Sequence, residues 1–419
     1  MAPRGRQIAQ VDRIINMPDQ IFQPANILLP ADIDMTKWST IACDQFTSDA
    51  AYWEAVDQLV GTAPSTLRLM LPEYYLGKCD EEQAALEIRN TMQDYLDSGL
   101  FRTISHSFIY LERTLPGGTV RRGLIGQVDL EAYDYSRDSR TPIRATEGTV
   151  ESRLPARVEV RRNALFEMPH IMLFFNDESD AVMRSAAAYA SGTVYDFDLM
   201  LGGGHALGRS IQGSDADRLA DQIALTVACD TLKFAVGDGN HSLAAARKLW
   251  LEKREALSPE QRMLHPSRYA LVELVNIHDP AITFEPIHRV LLHTNTDRFF
   301  EAARAALFRP DADRSITLLA NGKRAALPAA GSSIGETIEL TERFCRDYTA
   351  QYGGEIDYIH GEPETAELAA ETGAAGILLP YMNKNELFSS VARTGPFPQK
   401  SFSIGLGPDK RYYLECRTL

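Results

Sequence analysis

The sequence has few cysteines, and their arrangement excludes a disulfide-stabilised scaffold. Five cysteines are scattered among 419 residues. No two of them have the spacing of a zinc site or of a CxxC redox motif, and their number is odd. We therefore expect the thiols to be reduced, which is typical of a protein from a reducing compartment.

Long apolar runs are also missing. The longest are about ten residues, whereas a membrane-spanning helix needs roughly twenty. The basic residues near Met1 are not followed by an apolar segment, so no signal peptide is predicted. These absences indicate a cytoplasmic protein with no membrane partner.

Positive charge is scarce. There are 43 Lys and Arg residues against 57 Asp and Glu residues, which gives a net charge of −14. A chain this acidic has no general attraction for nucleic acid. We expect the partner to be a small molecule and no nucleic acid to bind, and the sequence leaves a homodimer open.

Several common catalytic motifs are absent. The sequence contains no GxxxxGK[ST] loop, no dinucleotide fingerprint and no HExxH. These absences exclude P-loop enzymes, typical Rossmann dehydrogenases and HExxH metalloproteases. The histidines are too dispersed for their spacing to indicate a zinc site.

The pattern of elements that is present predicts a mixed α/β fold. Helical and strand periodicities alternate, and Leu115-Pro-Gly-Gly118 between two strand patterns is typical of a hairpin. The fold class is therefore α/β with α+β features, around a phosphate-binding core. From the length we predict an N-terminal α/β lobe at 1–135, a core at 136–295 and a C-terminal α/β lobe at 296–419.

The strongest functional motif is Gly237-Asp-Gly-Asn-His-Ser242, between a predicted strand at 232–236 and a predicted helix at 242–254. A helix start exposes unpaired N–H groups and a partial positive charge, so it can bind an anion. Gly237 and Gly239 would let the backbone approach a phosphate. The alternative is an ordinary glycine turn with a capped helix.

The polar side chains of this motif have predicted roles. Asn240 and Ser242 would cap the helix or contact the anion, and His241 would donate a hydrogen bond or a proton. Asp238 would hold Mg²⁺ or accept a hydroxyl proton. The sequence therefore predicts a metal-assisted, phosphate-handling enzyme.

A second motif is the arginine-rich and glutamate-rich stretch at 143–162. Arginine matches phosphate and carboxylate geometry, so Arg144 and Arg153 are candidate phosphate ligands. Thr146 and Glu147 could order the arginines or bind metal. The alternative is a solvated helical face of Glu–Arg pairs, and the helical spacing of Arg153, Arg157 and Arg161 favours it.

Four weaker signals complete the candidate site. Three glycines before His205, among them Gly203, could face a ligand, although a plain turn explains them equally well. His288 and Arg289 follow a predicted turn, where a salt-bridged structure is the alternative. Lys400 lies in a loop bounded by prolines and could contact a phosphate. Asp44 is a further candidate carboxylate.

The chain resembles domain-of-unknown-function family 1015, a bacterial family, almost from end to end. The segments that carry the resemblance are Thr66-Leu-Arg-Leu-Met-Leu-Pro-Glu73, Arg122-Gly-Leu-Ile-Gly-Gln-Val-Asp-Leu-Glu131, Phe234-Ala-Val-Gly-Asp-Gly-Asn-His-Ser242, Val275-Asn-Ile-His-Asp-Pro280, Pro286-Ile-His-Arg289, Val391-Ala-Arg-Thr-Gly395 and Pro398-Gln-Lys-Ser401. Their order and spacing make the resemblance specific.

The Asp-Gly-x-His element is also similar to that of the ParB/sulfiredoxin-like fold. That group includes partition proteins, sulfiredoxin and free serine kinases, and its form reads Asp-Gly-His-His-Arg. Here Asn240 replaces the first histidine and Ser242 replaces the arginine. The backbone cradle is kept, but one phosphate-binding cation is lost, which Arg144, Arg153 or Lys400 would have to supply.

The resemblance implies a kinase that phosphorylates the hydroxyl of a free amino acid, above all L-serine. ATP, ADP or pyrophosphate would be the donor, and Mg²⁺ would bind Asp238 and Glu147. Either of these carboxylates would accept the hydroxyl proton, and His241 would stabilise the transferring phosphoryl group. The other residues assigned by this prediction are Gly203 and His205 for the donor and Asp44, Thr146, His288 and Arg289 for the acceptor. A nucleotide-binding regulatory protein and a phosphoryl hydrolase are the alternatives.

Overall fold

The computed structural model describes residues 20–329, 331, 333–405 and 407–419, except for the side chains of residues 153 and 156. Within these residues the chain forms two large β-sheets, two short strand pairs and surrounding helices. The predicted mixed α/β fold is therefore confirmed.

The strands of the described chain follow one another in this order: β1 (Phe22–Gln23), β2 (Ala25–Pro30), β3 (Thr40–Ile41), β4 (Phe101–Thr114), β5 (Val120–Asp129), β6 (Tyr133–Asp134), β7 (Ile143–Ala145), β8 (Phe166–Glu167), β9 (Met172–Phe175), β10 (Ser191–Asp198), β11 (His205–Gln212), β12 (Phe234–Asp238), β13 (Tyr269–Asn276), β14 (Phe284–Leu292), β15 (Ser315–Ala320), β16 (Lys323–Pro328), β17 (Glu355–His360), β18 (Ala375–Leu378), β19 (Phe402–Ile404), β20 (Tyr412–Tyr413) and β21 (Arg417–Thr418). The α-helices are α1 (Met35–Trp38), α2 (Ala50–Val60), α3 (Glu81–Asp97), α4 (Leu154–Asn163), α5 (Ala181–Tyr189), α6 (Ser214–Thr226), α7 (Asn240–Arg254), α8 (Pro259–Leu264), α9 (Phe299–Leu307), α10 (Ile334–Tyr352), α11 (Glu362–Ala369) and α12 (Glu386–Thr394).

The larger sheet has eleven strands. Nine follow the order β10-β11-β4-β5-β13-β9-β12-β7-β6, while β1 pairs with β5 and β2 with β4. The predicted hairpin is confirmed as β4–β5, where Thr114 pairs with Val120 across the turn. The smaller sheet has the order β16-β15-β18-β14-β17, with β19 added on β14.

The central strands of the larger sheet are buried on both faces. Alternate residues of a strand point to opposite faces, and β9 shows this in its packing. Phe174 packs into a core shared with the smaller sheet, whereas Leu173 and Phe175 pack into a core shared with α5, α6 and α7. The middle of the sheet is therefore a rigid layer between helices and the second sheet.

This layer brings three chain segments to one edge. Strand β12 lies between β7, which is parallel to it, and β9, which is antiparallel. The carboxyl ends of β7 and β12 therefore meet where β9 begins. The residues after Ala145, the end of β12 at Asp238 and the residues before Met172 all converge there.

A fourth segment arrives from the C-terminal part of the chain. Strand β20 pairs antiparallel with β3, with Tyr412 opposite Ile41. Just beyond this pair, the Ala42 N–H donates to the Arg411 carbonyl at 3.0 Å. The residues after β3 therefore lie beside the residues before β20.

The predicted division into three lobes stays a prediction, and several pairings cross its boundaries. Strand β14 belongs to the smaller sheet, although its residues fall within the predicted core at 136–295. Strands β20 and β21 pair with β3 and β8, which precede them by far in the sequence. One of the hydrophobic cores also includes residues of both sheets.

Candidate active site

The turn between β12 and α7 leaves the helix N-terminus open. Gly239 precedes the helix with φ of 74°, a left-handed conformation that favours glycine. Because glycine has no side chain, it cannot cap the first turn, whose N–H groups point beyond the helix end. A Cβ at Gly239 would lie 2.9 Å from the Ile171 Cα, so the position also requires glycine for space. This fifteen-residue helix therefore offers an anion site.

Gly237 has a different reason to be glycine. A Cβ there would lie 2.4 Å from the Phe174 ring, so the residue allows two neighbouring strands to pack around an aromatic side chain. The predicted approach of its backbone to a phosphate is not needed to explain it.

Asp238 forms a partly buried ion pair at the start of this turn. Its Oδ2 lies 3.3 Å from Lys410 Nζ, and its Oδ1 accepts the Gly239 N–H at 2.8 Å. Burial on its own raises the pKa of Asp238, but the charge of Lys410, with smaller contributions from His170 and the Gly239 N–H, outweighs it and holds that pKa below its usual value. Burial lowers the pKa of Lys410, yet Asp238 and Asp44 raise it above its usual value. Both groups are therefore charged at neutral pH.

Glu147 lines the same space, but its pKa is shifted in the opposite direction from that of Asp238. Burial raises the pKa of its carboxyl to about 7, although the Ser401 N–H donates to its Oε1 at 3.3 Å. The backbone of Glu147 also bridges to Phe397. A carboxyl group with this pKa can both accept and release a proton near neutral pH.

These groups surround a polar cavity of about 250 Å³. Its walls include the acidic groups Glu147 and Asp238, the cation Lys410 and residues of the smaller sheet. The further lining residues are Gln45, Thr146, Gly237, Asn240, Ile287, His360, Phe402, Ser403 and Ile404. The Oδ1 atom of Asn240 is buried there and has no hydrogen-bond partner, so it is available to a ligand.

A cluster of three potential metal ligands lies next to this cavity. One ligand atom each from Asp44, His170 and Asp238 lies within 4.8 Å of the others. The His170 Nε2 is 3.8 Å from the Asp44 Oδ2, and its Nδ1 is 3.0 Å from the Tyr413 hydroxyl. Within the described residues this is the group whose geometry suits a metal ion, and it contains Asp238 but not Glu147.

A second cavity, of about 330 Å³, adjoins this cluster. Its walls are mostly apolar, and they include His170, Tyr413 and Ser242 at the start of α7. The apolar lining includes Leu69, Met70, Leu71, Leu76, Ile88, Met92, Ala164, Phe166 and Met168. Such a cavity suits the apolar body of a small ligand.

Some of the predicted residues face the polar cavity, and others lie close to it. Glu147, Asp238, Asn240, Gly237 and Thr146 line it. The Thr146 hydroxyl already donates to the Val236 carbonyl at 2.6 Å, which ties β7 to β12.

His241 and Lys400 lie near the site with partners of their own. His241 accepts the Val150 N–H at its Nε2 with a distance of 3.2 Å, so that nitrogen carries no proton to donate. The Lys400 ammonium lies 4.7 Å from the centre of the Tyr358 ring. Tyr358 and the cavity residue His360 belong to the same strand, β17.

Other predicted residues are not brought to the site. Arg144 is buried, and its guanidinium donates to the carbonyls of Thr141 and Thr231. Those residues precede β7 and β12, so they lie at the opposite ends of these strands from the cavity. The side chain of Arg153 lies outside the described part of the structure.

Gly203 and His205 lie near the far edge of the larger sheet. Strand β11, which contains His205, is five positions from β12, or roughly 24 Å at ordinary strand spacing. His205 is held between Asp196 and Asp198, with both nitrogen–oxygen distances at 2.8 Å. A Cβ at Gly203 would meet the Tyr412 hydroxyl at 2.2 Å, so this glycine serves packing.

His288 and Arg289 are buried in the smaller sheet. The His288 Nδ1 accepts the Leu379 N–H, and burial lowers the pKa of this histidine to about 4. Arg289 pairs with Glu342 and donates to the Lys400 carbonyl at 3.0 Å. Arg289 therefore positions the loop that contacts Glu147, and it does not line the polar cavity itself.

Sequence reasoning missed His170, Lys410 and Tyr413. His170 stands directly before the apolar run of β9, which was a weak signal for a position at a sheet edge. Lys410 and Tyr413 follow a short glycine-containing and proline-containing segment without a recognisable motif. The pairing of β20 with β3 brings them to the site.

The fold and the site together define a mixed α/β protein with an open helix N-terminus beside acidic groups, a lysine and two cavities. The chain belongs to the family described as "Protein of unknown function (DUF1015)", whose model matches residues 24–351. The resemblance inferred from the sequence motifs is therefore confirmed. No curated protein matches the chain.

Several solved structures are similar at low identity. A free serine kinase in complex with AMP has 12% identity and a TM-score of 0.38, covering 69% of this chain and 90% of that one. A variant of a free serine kinase in complex with ADP has 11% identity and a TM-score of 0.39, covering 71% and 92%. A conserved hypothetical protein from Pyrococcus furiosus has 13% identity and a TM-score of 0.34, covering 69% and 94%. At these values the likeness carries no argument about the site.

None of the helices in the described residues combines the length and the apolar character required to cross a bilayer.

Proposed function

We propose that the protein is a metal-assisted phosphotransferase whose acceptor is the hydroxyl of a free amino acid, above all L-serine. The observation that carries this proposal is the convergence of Glu147, Asp238 and Lys410 on one cavity at the open N-terminus of α7. Phosphoryl transfer depends on positioning and charge neutralisation, and these groups supply both.

Glu147 would be the base of this reaction. Its carboxylate takes the proton of the acceptor hydroxyl while the hydroxyl oxygen forms a bond to the transferring phosphorus. The bond between that phosphorus and the leaving phosphate oxygen breaks, and its electron pair stays on the leaving oxygen. Lys410 and the N–H groups of the first turn of α7 stabilise the negative charge that develops there. A divalent cation at Asp238 would neutralise the donor phosphates.

The apolar cavity favours a nucleotide as the donor. Ser242 and Ala245 of α7 line it, so it reaches the same helix start that would hold the phosphates. A base and ribose would bury apolar surface there, which is favourable at about 25 cal/mol per Å². Of the three candidate donors, ATP and ADP have such a part and pyrophosphate does not.

A product screen tests the proposal. The purified chain is incubated with a divalent cation and a mixture of free amino acids, with ATP, ADP or pyrophosphate in separate reactions. Mass spectrometry should detect phosphoserine with a nucleotide donor. The variant Glu147→Gln should form none, whereas Glu339→Gln, which removes a surface carboxylate paired with Arg137, should match the parent protein.

A hydrolase is the second candidate, because a base with a pKa of about 7 can also activate water. Release of phosphate at the same rate with and without amino acids would favour it. Nucleotide binding without any turnover would favour a regulatory protein instead.

A further inference from the structure

The hydroxyl of Tyr413 occupies a position that determines what His170 can bind. It accepts the backbone N–H of Cys43 at 3.3 Å, and it lies 3.0 Å from both the Cys43 Sγ and the His170 Nδ1.

The direction of these hydrogen bonds determines the histidine tautomer. The tyrosine hydroxyl has one proton, which it donates to the Cys43 Sγ, and two lone pairs, one of which accepts the Cys43 N–H. The other lone pair therefore accepts a hydrogen bond from the His170 Nδ1–H. In this tautomer the neutral imidazole has a lone pair at Nε2, which faces Asp44 and Asp238.

The distances at Nε2 suit a cation better than a direct hydrogen bond. The 3.8 Å between Nε2 and the Asp44 Oδ2 is longer than a hydrogen bond. Two ligand atoms that share one cation at about 2.1 Å lie roughly 3.5 Å apart in tetrahedral geometry. Small rotations of the partly exposed Asp44 side chain would complete such a site.

His205 provides a contrast within the same chain. It also lies between two aspartates, but both of its nitrogens are 2.8 Å from a carboxylate oxygen. Hydrogen bonds to Asp198 and Asp196 raise the pKa of this histidine. Because carboxylate oxygens only accept hydrogen bonds, both ring nitrogens donate and neither offers a lone pair to a metal. The two Asp–His–Asp groups therefore differ in chemistry despite their similar composition.

We infer that Asp44, His170 and Asp238 bind a divalent cation of the first transition series, with Mn²⁺ or Zn²⁺ preferred over Mg²⁺, and that Tyr413 fixes the histidine tautomer that this requires. The role of this cation in phosphoryl transfer rests on the proposed function. The inferred site replaces the predicted Mg²⁺ site on Asp238 and Glu147. Mg²⁺ keeps oxygen ligands, whereas imidazole nitrogen favours transition metals.

Charge supports a cation at this position. The two aspartates and Lys410 together carry one net negative charge, and a dication changes it to one net positive charge. A positive cluster beside the open helix N-terminus would attract a phosphate group. The cation and Lys410 would then act on the same anion.

Direct binding measurements on the full chain, without donor or acceptor, test the inference. Titration with Mn²⁺ followed by electron paramagnetic resonance, and with Zn²⁺ and Mg²⁺ by calorimetry, should show one tight site per chain for Mn²⁺ and Zn²⁺. Mg²⁺ should bind at least tenfold more weakly. His170→Gln and Asp44→Asn should each weaken Mn²⁺ binding at least tenfold, and Tyr413→Phe by about 10- to 100-fold.

His205→Gln is the matched control and should leave Mn²⁺ binding unchanged. Circular dichroism verifies that each variant is folded. Asp44→Asn should fold normally because the Asp44 side chain is partly exposed. Equal affinity for Mg²⁺ and Mn²⁺, or unchanged Mn²⁺ binding in folded His170→Gln and Asp44→Asn, would overturn the inference. Tight Mn²⁺ binding without any phosphoserine formation would leave it standing and remove the proposed function.

Discussion

Glu147 illustrates how burial can prepare a carboxyl group for proton transfer. Glu147→Gln keeps the shape of the side chain and removes the base, so we expect kcat to fall about 10²- to 10⁴-fold. In the parent protein, kcat should rise with pH through about 7, as Glu147 loses its proton. A pH–rate profile of both proteins checks this, and a parent profile that is flat between pH 6 and pH 8 (roughly one unit either side of that pKa) would contradict it.

The raised pKa of Glu147 predicts that stability falls as pH rises, whereas kcat increases. Because the folded-state pKa lies above the unfolded value, the folded state holds a proton that the unfolded state loses, and stability falls as pH rises from the unfolded pKa towards about 7. Glu147→Gln removes this loss. Above pH 7 the variant should therefore be at least as stable as the parent in urea titrations, so lower activity could not be attributed to unfolding.

At the residue scale, the sequence predicted residue types better than their positions. Glu147 and Asp238 reach one cavity because they follow neighbouring parallel strands, which local pattern does not reveal. Arg144 was placed with them by its position in the arginine-rich stretch. Its guanidinium instead bonds to carbonyls at the opposite strand ends. In α4, Arg162 pairs with Glu159 three residues before it, which fits the alternative of a solvated face of Glu–Arg pairs, whereas Arg161 pairs with the buried Glu167 of β8.

At the scale of elements, the β12–α7 turn should be the least tolerant of substitution. Gly239→Ala places a residue at positive φ, which costs about 1–2 kcal/mol, and the contact with Ile171 adds roughly 1–3 kcal/mol. Gly99→Ala is the matched control, since Gly99 also has a positive φ, of 68°, at a helix end but has open space around it.

Urea unfolding of both variants measures this difference. Gly239→Ala should lose more stability than Gly99→Ala and should also bind the donor more weakly. Equal losses in the two variants would show that the close approach to Ile171 has no energetic consequence.

The apolar cavity makes a prediction about donor choice. Ala164 lines its wall at the end of α4, and Ala164→Leu would occupy space that we assign to the nucleotide base. The KM for ATP or ADP should rise about tenfold, which corresponds to roughly 1.4 kcal/mol. Turnover with pyrophosphate, where measurable, should not change. A KM unaffected for every donor would place the base elsewhere.

Elements that depend on neighbouring residues were predictable, and those that depend on distant ones were not. The strand–turn–helix at 232–254 follows from glycine, a β-branched and aromatic run and alanine-rich periodicity, although the helix begins at Asn240 instead of Ser242. The short strands β3 and β20 have two residues each, too few for any periodicity. Their pairing nevertheless brings Asp44 and Lys410 into the site.

At the scale of the whole molecule, buried ion pairs attach the last strands to the rest of the fold. Arg417 bonds to Glu167 at 2.6 Å, and both side chains are almost fully buried. Arg417→Met removes a positive charge that pairs with the buried Glu167 carboxylate, so we expect the free energy of unfolding to fall by about 3–5 kcal/mol. Arg324→Met is the control: its pair with Glu362 is exposed, and its loss should cost at most about 1 kcal/mol.

Chemical denaturation of the two variants gives the comparison. Similar stability losses would show that burial of the Arg417 pair does not matter. In folded Arg417→Met, metal binding should be retained, because Arg417 has no contact with Asp44, His170 or Asp238 among the contacts that the structure describes.

The pairing of β3 with β20 also has a consequence for the order of folding. Each central strand can find its partners while the chain is partly collapsed, but the cluster around Asp238 exists only after two segments from opposite regions of the sequence have met. Contacts of such long sequence separation form slowly, since loop closure costs entropy before the contact stabilises it. During refolding, the helical circular dichroism signal should therefore return before catalysis does. The return of enzymatic activity would then report when these two segments have paired.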